Sequence, residues 1–190
     1  MNVLIQPHSD DAVLFACFTL LRVPTQTLVI TVFDGYEQRR RGLPVDMELR
    51  RKEDRLAFYV LGIEECRTKY LGFRDDCTAT RDDIRNAIRQ TMSEYNPLAQ
   101  YDNIYAPAFE QDGHAQHNLV AEACNDIVTE RYLTYTSAGK STSDREVKIE
   151  RPWWIAAKLR AMACYVSQMS LDPRMGCWPH FVRGIQEYYL

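Results

Sequence analysis

The chain has no apolar run approaching the about 20 residues that a membrane-spanning helix requires, which excludes a membrane span from the reading. It has no basic excess either. Its 23 Lys and Arg stand against 26 Asp and Glu, for a formal net charge of −3, and a phosphate backbone is held by clustered cations. No nucleic-acid partner is therefore expected. Its six cysteines, Cys17, Cys66, Cys77, Cys124, Cys164 and Cys177, form no C-x-x-C pair and no zinc-finger spacing. The N-terminus reads as a strand, Asn2-Val3-Leu4-Ile5, and not as a secretory leader. These absences together predict a reducing, cytoplasmic setting. No internal repeat and no low-complexity tract is present. Histidine is scarce, with four in 190 residues.

What the chain does have is alternation. Val3 to Gln6 is a short apolar strand bounded by Pro7. A helix is expected from Asp10 or Asp11 to about Leu21, with Cys17 on its apolar face. The β-branched run Thr27 to Phe33 reads as a strand buried on both faces. After a polar loop containing Arg39-Arg40-Arg41, either a solvated loop or an anion clamp, residues 46 to 61 read as an amphipathic helix. Met47, Leu56, Tyr59 and Val60 are its candidate core positions, and Gly62 its stop. Thr68 to Leu71 is a strand, Asp82 to Tyr95 a helix, and Asn103 to Pro107 a strand. Residues 114 to 131 follow as a helix carrying Cys124, Tyr132 to Thr136 as a strand, 137 to 150 as a loop or short β excursion, and Pro152 to about Gln168 as a closing helix. This β-α-β-α order predicts one α/β domain over residues 1 to 190, a Rossmann-like three-layer sandwich with a mostly parallel sheet.

In such sheets ligands bind beyond the carboxyl ends of the strands. Pro7-His8-Ser9-Asp10-Asp11 follows the first strand, Asp34 the second, Asp75 and Asp76 the third, and His114 and His117 the fourth. Acidic and ligating side chains thus converge on one edge. Two imidazoles and a carboxylate form a common three-ligand set for catalytic zinc, which lowers the pKa of a bound water to about 7. Asp10 and Asp11 differ in direction by about 100° at the start of a helix, so one can face a metal and the other its water; both can equally be plain helix caps. His114 and His117 share one helical face. One can ligate while the other stabilises an oxyanion or protonates a leaving amine. His8-x-Asp10 with His117 also spells the triad of a non-haem iron enzyme, but those sit in antiparallel double-sheet barrels. His180 is expected to be structural.

These segments resemble the LmbE-like, or N-acetylglucosaminylphosphatidylinositol deacetylase (PIG-L), family of zinc deacetylases. Pro7-His8-Ser9-Asp10-Asp11-Ala12 is similar to its P/A-H-P-D-D-E motif, and His114-Ala115-Gln116-His117 to its H-P-D-H. Arg50, Glu53, Ala57, Leu61 and Gly62 match R-x-x-E-x-x-x-A-x-x-x-L-G, and Leu71, Gly72 and Asp75 match L-G-x-x-D. Ala161 to Gln168 approximates A-x-x-x-H-x-S-Q, and Glu187-Tyr188-Tyr189 a closing glutamate before an aromatic. The resemblance implies a Rossmann-like fold and hydrolysis of a linear N-acetyl or N-acyl amide on an amino-sugar-containing small molecule. It implies Zn²⁺, or another divalent metal, on His8, Asp11 and His117. It implies Asp10 as general base, His114 at the oxyanion, and Arg50 and Asp75 on the substrate. Ser9 stands for the usual proline, Ala12 for the usual glutamate and Tyr165 for the common histidine. Loss of that glutamate leaves an alternative open, a catalytically impaired relative that binds an amino sugar or a protein partner. The chain is short for the family, so a substrate-covering loop would be missing or supplied by a neighbouring subunit of a homo-oligomer.

Overall fold

Thr27–Phe33 is buried at every position, as a strand covered on both faces must be. Around it the computed structural model describes residues 1–34, 39–40, 43–44, 46–74, 78–97, 100–111, 113–134, 145–146, 148–168 and 187–189. The strands are β1 (Asn2–Gln6), β2 (Thr27–Phe33), β3 (Arg39–Arg40), β4 (Leu43–Pro44), β5 (Thr68–Phe73), β6 (Asn103–Pro107), β7 (Glu130–Tyr132), β8 (Arg145–Glu146) and β9 (Tyr188–Tyr189). The helices are α1 (Asp11–Phe15), α2 (Cys17–Arg22), α3 (Met47–Val60), α4 (Arg81–Tyr95), α5 (Ala115–Ala123) and α6 (Trp153–Met162). The sheet order is β5-β2-β1-β6-β7-β9-β8. Its first five strands run parallel, and the short β9 and β8 close the edge antiparallel. The strands β3 and β4 form a separate antiparallel hairpin.

Alternate residues of β1 feed two cores. Leu4 packs with α1, α2, α3 and α6 on one face, among Phe18, Phe58, Trp154 and Tyr165. Val3 and Ile5 pack with Ile84, Ile88 and Met92 of α4 and Val120 of α5 on the other. The α/β architecture with helices on both faces agrees with the expected class. The antiparallel double-sheet barrel that the iron reading needs is not the architecture of the described residues. No helix among them is long and apolar enough to cross a membrane.

Five local expectations need correction. The closing helix expected from Pro152 to about Gln168 runs only from Trp153 to Met162, and turns carry the chain on to Gln168. The helix expected from Asp10 to Leu21 is interrupted at Ala16, where φ is −138° and α1 gives way to α2. The helix expected over 114 to 131 ends at Ala123, and by Thr129, whose N–H donates to Ile104 O of β6, the chain has returned to the edge of the sheet. The strand expected over 132 to 136 therefore starts earlier, at Glu130. On α3 three of the four candidate core positions are wrong, and the fourth, Met47, is half-buried. Leu56 is 53% exposed and Tyr59 78%, and Val60 is exposed as well, whereas Arg50, Glu53, Asp54, Ala57 and Phe58 are buried. Its buried face carries charge because that face abuts the carboxyl end of the sheet. Gly62, at φ +80°, stops the helix as expected.

Candidate metal centre

Parallel neighbours bring their carboxyl-end loops side by side, and β1 pairs directly with β6. The turn Pro7–Asp10 and the segment leading to α5 are thereby adjacent, although His8 and His117 stand 109 positions apart. His8 Nδ1 lies 3.3 Å from His117 Nε2. Asp11 Oδ2 lies 3.4 Å from His8 Nδ1 and 3.1 Å from His117 Nε2. All three side chains are buried.

This arrangement fits a zinc ion. With bonds of about 2.0–2.1 Å to nitrogen and oxygen, the edge of a ligand tetrahedron is about 3.3 Å, and the three separations straddle that length. The donor set, two imidazoles and a carboxylate, is one that catalytic zinc takes with a position left open. Asp11 Oδ1 is buried with no hydrogen-bond partner among the described residues, so the carboxylate keeps an unsatisfied acceptor. Oδ2 accepts the His8 N–H at 2.8 Å, which fixes the carboxylate under the turn.

Behind the ligands stand groups that the sequence reading missed. His117 Nδ1 contacts Thr134 Oγ1 at 3.2 Å. Thr134 donates its N–H to Glu110 Oε1 at 2.7 Å and its hydroxyl to the same oxygen at 3.1 Å. Glu110 is tied in turn to Asn118 of α5, which accepts its N–H and donates to its carbonyl. Such outer contacts orient a ligating imidazole. The spacing from Glu110 to Thr134 carries no signal in the sequence, since only the β6–β7 pairing joins them.

Asp10 is buried and caps nothing, with no side-chain hydrogen bond to the α1 amides. Its Oδ1 lies 3.7 Å from Arg50 Nη2, and Arg50 is itself buried, its Nε without a partner among the described residues. Burial and the neighbouring Asp11 push the Asp10 carboxyl above its usual range, against the pull of Arg50 and the imidazoles. Burial works against ionisation of Asp11 as well, but His117 and His8 outweigh it and hold that carboxyl far below the usual range. His114 stands at the N-cap position of α5 with no side-chain cap bond and is exposed, its ring centroid 5.4 Å from that of His8 and 5.3 Å from that of His117.

The structure thus gathers His8, Asp10, Asp11, Arg50, His114 and His117. It leaves Asp34 outside the cluster: its carboxylate accepts from Gly72 N–H at 2.6 Å and from Arg51 Nε at 2.7 Å, fastening β2 to β5 and α3. Asp75, Asp76, Arg41 and His180 lie outside the described residues. Tyr165 is buried, and its hydroxyl donates to Asp54 Oδ1 at 2.7 Å.

A family model described as GlcNAc-PI de-N-acetylase, PIG-L, matches residues 3–128. No curated protein matches the sequence significantly. Among solved structures, the chain superposes on N,N'-diacetylchitobiose deacetylase from Pyrococcus horikoshii with a TM-score of 0.71 and 18% identity, covering 100% of this chain and 82% of that one. The conserved protein TT1542 from Thermus thermophilus gives 0.67 and 20% identity, over 100% and 93%. GalB, the 4-carboxy-2-hydroxymuconate hydratase from Pseudomonas putida, gives 0.67 and 15%, over 96% and 82%. At these identities the likeness is one of fold, and the fold is shared by a deacetylase and a hydratase, so the reaction must be argued from the site.

Proposed function

The chain belongs to the GlcNAc-PI de-N-acetylase (PIG-L) family, and from that premise we propose that it is a zinc-dependent N-deacetylase acting on an amino-sugar-containing small molecule. The observation that carries the proposal is the buried triangle of His8 Nδ1, Asp11 Oδ2 and His117 Nε2, whose edges suit a tetrahedral cation. These three residues hold the metal. When bound, zinc supplies Lewis acidity, which makes water a nucleophile near neutral pH and polarises a carbonyl.

The remaining steps belong to the chain. Asp10, its carboxyl poised above the usual range, takes the proton from the attacking water. An exposed His114 beside His8 and His117 donates an N–H to the oxyanion that forms as the acyl carbon becomes tetrahedral. The C–N bond then breaks, Asp10 returns its proton to the departing amine, and acetate and a free amino group result. Arg50, buried beside Asp10 and its Nε without a partner among the described residues, holds the carboxylate in place and offers a donor to the substrate. Asp75 is the second substrate contact in this reading.

Metal analysis with acetate release from N-acetylglucosamine and its short oligomers tests the proposal. Stoichiometric zinc with acetate release supports it. Bound zinc without turnover on any N-acetylated sugar supports the impaired binder instead. A protein that takes up no zinc removes the metal site.

A further inference from the structure

We infer that Gln6 and Asp54 are positioning residues that cap α1 from outside and so release Asp10 from the role of helix cap. The inference rests on the metal-site reading above.

The first N–H groups of a helix have no partner within it, and an aspartate at the start normally supplies one. Here Asp10 stands at that place without capping. The Ala12 N–H donates instead to Gln6 Oε1, at 2.9 Å, from the end of β1. This contact fixes which way the Gln6 amide points. A flipped amide would set its NH₂ against the Ala12 N–H, donor against donor. Gln6 Nε2 must then face the other way, where it donates to Thr31 Oγ1 at 2.8 Å and to Asp54 Oδ2 at 3.2 Å. Thr31 is the β2 partner of Gln6 in the sheet register.

Asp54 is fully buried on α3 and serves as the anchor of this chain. It accepts from Gln6, from the Tyr70 hydroxyl at 3.1 Å and from the Tyr165 hydroxyl at 2.7 Å. Strand β5, helix α3 and the segment after α6 thus all hold one amide, and that amide holds the second residue of α1. The two residues immediately before that point are Asp10 and Asp11. Without Gln6, the Ala12 N–H would be a buried orphan donor, and the residue placed to satisfy it is Asp10, at the N-cap position of α1. Asp10 would then leave Arg50 and the site, and the turn that holds Asp11 against His8 and His117 would shift with it.

Zinc titration of the full-length protein in competition with a chromophoric chelator tests the inference. Gln6→Leu and Asp54→Leu should each weaken zinc binding about 10- to 100-fold, the usual effect of removing a group that orients ligands. The double variant should be no weaker than the worse single by more than about 3-fold, because both act through one link. Asp54→Asn keeps an oxygen for Gln6 and should stay within about 3-fold of the parent. A folded Asp54→Leu protein that binds zinc as tightly as the parent overturns the inference, as does a double variant whose loss is the product of the singles. If Asp54→Leu does not fold, amide hydrogen exchange at Ala12 in Gln6→Leu decides. Faster exchange than in the parent is expected, and unchanged protection overturns the idea. A parent that binds no zinc defeats the metal reading, and the Ala12 exchange experiment still judges this one.

Discussion

Asp10 and Asp11 are adjacent, equally buried and opposite in electrostatic character. Burial raises the proton affinity of both, but two imidazoles outweigh it at Asp11 and keep that carboxyl ionised, whereas at Asp10 burial and the neighbouring Asp11 prevail over one guanidinium at 3.7 Å. That split is what a ligand and a base require. Asp10→Asn should retain zinc and lose turnover by on the order of 10² or more, measured as acetate release; a variant as fast as the parent would remove Asp10 as the base. His117→Ala leaves two protein ligands, so metal content measured after dialysis should fall. Asp54 gives a pH signature. Burial, unbalanced by any cation, pushes its carboxyl up to about 8, above the ordinary value near 4. Between those values the folded protein keeps a proton that the unfolded chain releases, so this contribution is whole below about pH 4 and lost as pH rises through 8. Thermal unfolding from pH 5 to 8 should show the parent losing stability relative to Asp54→Asn, by up to about 1.4 kcal/mol per pH unit. The candidate ligands were legible because histidine is scarce and three of the four fall in two short segments, Pro7 to Asp11 and Gly113 to Asn118. Gln6, Glu110, Thr134 and Asp54 were not, because single polar residues acquire a role only from what the fold sets beside them. Ala12 illustrates the point: it stands where the resembled pattern has glutamate, and a buried carboxylate lies beneath the same turn on Asp54, forty-two positions later in the chain.

At the scale of elements, the break between α1 and α2 has a chemical cause. An unbroken helix would pair Leu14 O with Phe18 N–H. Instead Leu14 O accepts from Lys158 Nζ at 2.9 Å, and Phe18 N–H donates to both oxygens of Glu187, at 2.9 and 3.0 Å. Lys158 and Glu187 pair at 2.6 Å, both buried. A salt bridge from the end of the chain is thus inserted into one rung of the helix. Glu187→Ala leaves a buried ammonium uncompensated and should cost about 3–5 kcal/mol in chemical denaturation. Replacing both, Lys158→Met with Glu187→Leu, should recover much of that loss, since Leu14 O and Phe18 N–H can then bond each other. Equal or greater loss in the double variant would show that the pair itself, and not the lone charge, sets the energy. Helix α3 teaches a related lesson. Its apolar residues suggested an inward Leu56 and Tyr59, yet the inward face carries Arg50, Glu53 and Asp54 beside Ala57 and Phe58. Burial followed partners: Glu53 accepts from Ser167 N–H at 2.7 Å and from its hydroxyl at 2.5 Å, and Asp54 has its three donors.

For the whole molecule, the decisive feature is the reversal of strand order between β1 and β6. From β1 the chain builds outward through β2 to β5, then crosses to the other side of β1 for β6 and β7. Loops leaving adjacent strands toward opposite faces open a crevice at that point, and the metal triangle sits there. A ligand bound only by the folded state adds stability by mass action, so zinc at about 100 times its Kd should contribute about 2.7 kcal/mol. In a chain of this size that corresponds to a rise of about 5–10 °C in unfolding temperature. The same zinc should not shift His117→Ala, which a thermal melt with and without metal will check. By itself the sequence determined the class of sheet and singled out His8, Asp11 and His117 as candidate ligands, because strand burial writes itself as continuous β-branched runs and metal chemistry restricts the residues that can serve. Only the tertiary structure decided what holds those ligands, which face of α3 turns inward and where the first helix breaks. Those outcomes depend on partners such as Gln6 with Asp54, and Lys158 with Glu187, that meet through the sheet order and leave no local pattern behind.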